Sequence, residues 1–119
     1  MGYRSDVAIA FYPKDTGSIE VIEVWFDVYK PELKKYGFLD DFEVRNGVLL
    51  FQADDVKWYS SYPDVALIER MVDDYKTNFD EENYCYEYIR IGEDNTDIEE
   101  HCSYGFMNLS VSRSIEVYV

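Results

Sequence analysis

Asn46-Gly47 stands between two short runs, Phe42–Arg45 and Val48–Phe51. Asparagine and glycine accept the positive φ angles of a two-residue turn, so the segment predicts a tight antiparallel hairpin. A lone hairpin is barely stable in water, and the rest of the chain has to cover its apolar face.

The flanking segments decide the fold class. Asp6–Tyr12 is a short apolar run ended by Pro13 and reads as a buried strand. Ser18 then caps a helix to Tyr36, along which Ile22, Trp25, Phe26, Tyr29, Leu33 and Tyr36 recur at helical spacing, and Gly37 stops it. Pro31 removes one hydrogen bond inside that helix, and the Val and Ile content leaves a strand over Ile19–Tyr29 as the alternative.

Beyond the hairpin, its second strand is expected to continue to Val56–Tyr59, past Asp54-Asp55 through a bulge. Ser61 with Asp64 reads as a capping box, and Pro63 suits the first turn of a second helix. Ile68, Met71, Val72 and Tyr75 form its apolar stripe, with Glu69, Arg70, Asp73 and Asp74 turned outward. Tyr84–Ile91 is a strand with Tyr84, Tyr86 and Tyr88 on one face and Cys85, Ile89 and Ile91 on the other. After a turn at Gly92–Asn95, Thr96–Cys102 returns, and Met107–Val111 with Ile115–Val119 form a last alternating pair.

Strand, helix, strand, strand, helix, strand is the ferredoxin-like βαββαβ order, with extra C-terminal strands expected to extend the sheet. A different antiparallel sheet with two helices on one face is the alternative. Either is a single α+β domain over residues 1–119, mainly antiparallel sheet with two helices. A turn at 92–95 sets Cys85 opposite Cys102, Arg90 opposite Asp97 and Glu87 opposite Glu100, with both thiols free.

Charge bears on partners. The chain carries a formal net charge of −14, and nine acids stand against one base between Asp80 and Glu100. Such a chain repels nucleic acid and anionic membranes and attracts basic surfaces. The opening Met1-Gly2-Tyr3-Arg4-Ser5-Asp6 breaks any apolar leader, Asp6 spoils a myristoylation pattern at Gly2, and no apolar run reaches membrane length. A cytoplasmic protein is expected.

Catalytic patterns find no footing. The carboxylate-rich stretch from Glu93 to Glu100 lacks the alternating ladder of a calcium loop, and His101 is the only histidine. Two cysteines so far apart fit neither a zinc site nor a redox CxxC pair. Neighbouring His101 and Cys102 point to opposite faces of a strand, which is wrong for a nucleophile and its base. No glycine-rich phosphate loop, GxSxG elbow or HExxH helix is present. No metal or other cofactor is expected.

The opening Met1-Gly2-Tyr3-Arg4-Ser5-Asp6-Val7-Ala8 resembles the start of a family of short proteins encoded by tailed bacteriophages and prophages. The resemblance continues through Asp55–Tyr59, Tyr62–Val65, Ile89–Asp94 with Asp97–Glu99, and Leu109–Ile115. The family has no established activity, so the resemblance implies an origin and no catalytic or binding residue. It implies a phage product in a bacterial host cytoplasm, of a kind that blocks a defence or transcription component.

Two functions remain in view. The first is an acidic inhibitor that binds a host protein with a basic surface in the manner of a nucleic-acid mimic, without binding nucleic acid itself. It would use Asp80, Glu81, Glu82, Glu93, Asp94, Asp97, Glu99 and Glu100, with Trp58, Tyr59 and Tyr62 as aromatic anchors. The alternative is a small enzyme or nucleotide-sequestering protein with the tyrosine-rich sheet face as its stacking floor.

Overall fold

A computed structural model of the chain describes residues 3–14, 16–94, 96–103, 105–111 and 115–119. Asn95 of the predicted turn and the 112–114 connection of the last strand pair lie outside the described residues. Strand β1 (Arg4–Pro13) is followed by helix α1 (Ile19–Tyr36), a short 3-10 turn, and the hairpin β2 (Phe42–Arg45) and β3 (Val48–Lys57). Helix α2 (Pro63–Asn78) leads into β4 (Tyr84–Gly92), β5 (Ile98–Cys102), β6 (Leu109–Val111) and β7 (Ile115–Val117). The main sheet has the order β2-β3-β1-β4-β5, and every neighbouring pair in it is antiparallel.

Local chemistry accounts for the boundaries. Asn46 and Gly47 both adopt positive φ, 51° and 76°, and set Arg45 opposite Val48. In α1 the Ser18 side chain accepts from the Glu20 N–H, and Gly37 at φ 82° ends the helix with the Phe38 N–H returning to the Leu33 carbonyl. The helix runs through Pro31, which sits on its solvent side where water can meet the carbonyl left unpaired. The predicted bulge is present: the register with β1 shifts between Ser5 and Val7, and Asp55 turns to φ 54° with its N–H on Asp6 Oδ1 at 2.8 Å.

Three readings need correction. The capping box at α2 does not form: Tyr62 is the cap residue without a side-chain bond, and Asp64 accepts from the adjoining Val65 N–H. The β4–β5 register is two residues from the expected one, pairing Glu87 with Cys102, Ile89 with Glu100 and Arg90 with Glu99. Its cause lies at Gly92, whose N–H bonds the Asp97 carbonyl at 2.8 Å. There a Cβ would fall 2.3 Å from both the Tyr3 hydroxyl and Asp97 Oδ2, so a larger residue would push these two side-chain ends aside. Finally, β5 alone extends the sheet, while β6 and β7 pair as a separate two-stranded sheet.

The apolar faces explain that separation. Val7, Ile9, Phe11, Leu49, Phe51, Tyr86 and Tyr88 pack against α1 and α2 on one side. Ala8, Ala10, Tyr12, Leu50, Cys85 and Ile89 face the other way, and the hairpin of β6 and β7 covers them with Leu109, Val111, Ile115 and Val117. The result is an α+β domain in three layers: two helices, an antiparallel sheet and a small hairpin. Among the described residues, no helix is long and apolar enough to cross a membrane.

Candidate functional site

The acids singled out by sequence divide between the two ends of β4. Asp80, Glu81 and Glu82 lie at its start and Glu93 and Asp94 at its end, separated by nine strand residues or roughly 30 Å at ~3.3 Å per residue. They form no continuous face. Most also hold local structure. Asp80 accepts from the Glu82 N–H and from Asn83 Nδ2, at 3.0 and 2.8 Å. Glu93 accepts from the Arg4 N–H at 2.8 Å, and Asp94 Oδ1 accepts from the Thr96 N–H and hydroxyl at 2.9 Å each. The Thr96 bonds hold the Asp94 carboxyl below its usual range. Glu100 is exposed on the β5 edge strand.

Arg90 organises the remainder. Its Nε donates to Glu99 at 2.8 Å, its terminal nitrogens take both oxygens of Asp97, and Nη1 also reaches the Ser5 hydroxyl at 3.2 Å. Hydrogen bonds from Arg90, then Tyr3, hold the Asp97 carboxyl below its usual range and so favour its charged form. Burial would raise Glu99, yet the bonds from Arg90 and His101 outweigh it and hold its carboxyl low.

The three aromatic candidates part company. Trp58 packs against Phe38 and Phe51 and donates its indole N–H to the Tyr88 hydroxyl at 3.0 Å, which makes it part of the core margin. Tyr59 and Tyr62 meet edge to face at 5.1 Å near the surface, and the Tyr59 hydroxyl accepts the Tyr3 N–H. The tyrosines expected as a stacking floor are covered, because Tyr86 and Tyr88 are each 7% exposed beneath α2.

What the fold does assemble is a pair of adjoining grooves between α2 and the β4–β5 edge. The first, of about 190 Å³, has Tyr86 and Tyr88 at its base and Glu69, Asp73 and Glu99 on its walls, with Lys76 and His101 at the rim. The second, of about 290 Å³, shares Lys76 and Tyr86 and brings in Glu81 and Cys102. Of the acids predicted from sequence, Glu81 and Glu99 therefore line neighbouring cavities, and Glu69 and Asp73 join them from α2. Lys76 Nζ stands 5.8 Å over the Tyr86 ring, a cation on an aromatic face within the groove itself. Burial, followed by the charge of Glu99, pushes the Tyr88 phenol up to about 12, so Tyr88 stays neutral through the physiological range. This arrangement suits a positively charged guest with an apolar stem. Among the described residues, no group of three or more His, Cys, Asp and Glu side chains is placed to hold a metal ion.

Two buried or half-buried carboxylates escaped sequence reasoning. Asp74, expected to face outward, accepts from Trp25 Nε1 at 2.9 Å and from the Tyr29 hydroxyl at 2.5 Å, tying α2 to α1. Glu87 is fully buried and accepts the N–H groups of Met107, Asn108 and Leu109 together with Asn108 Nδ2. Its signal was in the pattern: Glu87 falls in the series Cys85, Ile89, Ile91, an apolar face on which a carboxylate needs donors. Comparison with protein-family models, curated protein sequences and solved structures gives no match for this chain.

Proposed function

We propose that this chain is a non-catalytic acidic binding protein that receives a basic surface of a partner protein along the grooves between α2 and β5. One observation carries the reading: four carboxylates from three parts of the chain, Glu69 and Asp73 on α2, Glu81 before β4 and Glu99 on β5, converge on two adjoining cavities with tyrosine in their lining. The net charge of −14 adds long-range attraction for a cationic partner. The opening MGYRSDVA block extends the proposal to a bacteriophage gene product acting on a host protein whose basic surface otherwise holds nucleic acid. A ferredoxin-like arrangement of the first six elements belongs to the same proposal. The order β2-β3-β1-β4, its antiparallel neighbours and two helices on one face support it.

The test begins with capture of a partner from bacterial lysate and proceeds to association kinetics. The association rate should fall steeply with salt while dissociation changes less, as exposed charges steer the encounter. Reversing Glu69, Asp73 and Glu81 to lysine together should weaken binding far more than the same change at Asp54 and Glu116, which are exposed and line neither groove. Asp94, Asp97 and Glu99 are poor sites for that reversal because they hold the β4–β5 turn. Equal losses for the two sets, or binding indifferent to salt, would overturn the proposal.

A further inference from the structure

The opposite edge of the sheet carries a second and different surface. β2 is an outer strand of four residues, and among the described residues its only sheet neighbour is β3. Antiparallel partners alternate between bonded and non-bonded pairs. With Arg45 opposite Val48 across the two-residue turn, Arg45 and Glu43 direct their backbone groups to β3. Val44 therefore presents its N–H and C=O outward, on a free edge that a further strand can pair with. Phe42 directs its carbonyl the same way, while its N–H is taken by the Leu39 carbonyl.

Beside that edge lies a groove of about 550 Å³ between α1 and β2. Its floor is apolar, formed by Phe26, Phe42, Val44 and Leu49, and its rim carries Glu23, Asp27 and Glu43. Val44 itself is 45% exposed, although its neighbours on the same sheet face, Leu49 and Phe51, are fully covered. A side chain entering this groove passes along hydrocarbon and ends among carboxylates, which is the chemistry of arginine and lysine. The chain supplies an internal example. Lys30 places its ammonium 5.5 Å over the Phe26 ring and 2.7 Å from Asp27.

We propose that the outer edge of β2 accepts an extended segment of a partner protein bearing arginine or lysine on alternate residues. The segment adds a sixth strand through the backbone of Val44, and its basic side chains lie in the α1–β2 groove with their charged ends on Glu23 and Asp27. Alternation matters because successive strand residues face opposite ways, so every second residue faces the groove. This surface lies across the sheet from the α2–β5 grooves, and the two stand or fall separately.

The probe is a short synthetic peptide alternating valine with arginine, titrated into the isotopically labelled full chain at low ionic strength. Amide shifts should concentrate on Phe42–Arg45 and on the Glu23–Lys30 turn of α1. A peptide with glutamate in place of arginine should bind at least about tenfold more weakly, as should one N-methylated at every residue, which has no N–H left for a ladder. Val44→Pro removes only an outward N–H and should weaken binding about tenfold with an unchanged melting temperature. Should that variant fail to fold, the surface pair Glu23→Lys with Asp27→Lys gives the same reading. Lys30→Ala, which clears the groove's own cation, should tighten binding severalfold. Equal binding of the N-methylated peptide, shifts confined to the α2–β5 grooves, or occupation of β2 by a second copy of this chain would each overturn the proposal.

Discussion

Arg90 grips Asp97 with both terminal nitrogens of its guanidinium, Nη1 at 3.1 Å and Nη2 at 2.8 Å. The pair closes the β4–β5 turn, and the Tyr3 hydroxyl joins Asp97 at 2.7 Å to fasten the start of β1 to it. Asp97→Ala should lower the urea midpoint, since the charge-assisted bonds from Arg90 and the bond from Tyr3 are lost. Arg90→Lys should lower it nearly as much, because one ammonium cannot reproduce a two-pronged contact. Urea unfolding of both variants checks this, with the denaturant slope expected to stay constant.

Asp74 links acid stability to the helix pair. Hydrogen bonds from Tyr29 and then Trp25 hold its carboxyl below the usual range. A depressed folded-state pKa contributes stability that is present above the unfolded value of about 4 and lost as pH falls through the folded one. Asp74→Asn should therefore melt below the parent at neutral pH, by about 1 kcal/mol. The gap should close in acid. Thermal melts across an acidic pH series measure it, and a gap constant with pH would exclude the linkage.

Glu87 should be the costliest single carboxylate to remove. Glu87→Ala leaves three backbone N–H groups and the Asn108 amide without their acceptor in a buried place, at about 2–4 kcal/mol. Glu87→Gln should recover only part of that, because its NH₂ group must then face other donors. Hydrogen exchange should report faster opening at Asn108 and Leu109 in both variants.

The inner face of α2 gives a simple contrast. Ile68 and Met71 are each 1% exposed, so either one replaced by alanine should cost about 2–5 kcal/mol. Asp73, exposed on the same helix, should tolerate alanine with a change of about 0.5 kcal/mol or less. Equilibrium unfolding of the three variants side by side decides the matter.

Elements governed by neighbours in sequence were legible before any coordinates. Asn46-Gly47 needs only its own φ angles to make a turn, and Ser18 and Gly37 need only the helix ends beside them. Features set by contacts distant in sequence were not. The β4–β5 register depends on Tyr3, which reaches Gly92 and Asp97 from the far end of the chain. Asp74 looked like an outward residue because it lies off the apolar stripe of α2, and only packing shows that Trp25 and Tyr29 of α1 meet it there. The candidate site suffered the same way: a run of acids in sequence suggested one patch, whereas β4 carries its two halves apart and α2 supplies Glu69 and Asp73 from elsewhere.

The place of β1 has a consequence in time. It is the middle strand, bonded on one side to β3 and on the other to β4, and it is covered on both faces. Ala10 meets Leu50 on one edge and Glu87 on the other, so its partners emerge from the ribosome long after it does. No local piece of the chain can complete this strand. Closing such long loops before any contact rewards them slows folding, and a growing chain carries an unpaired apolar strand until β4 arrives. Once closed, the same strand opens only when the whole sheet does, and its amides become the slowest clock in the molecule.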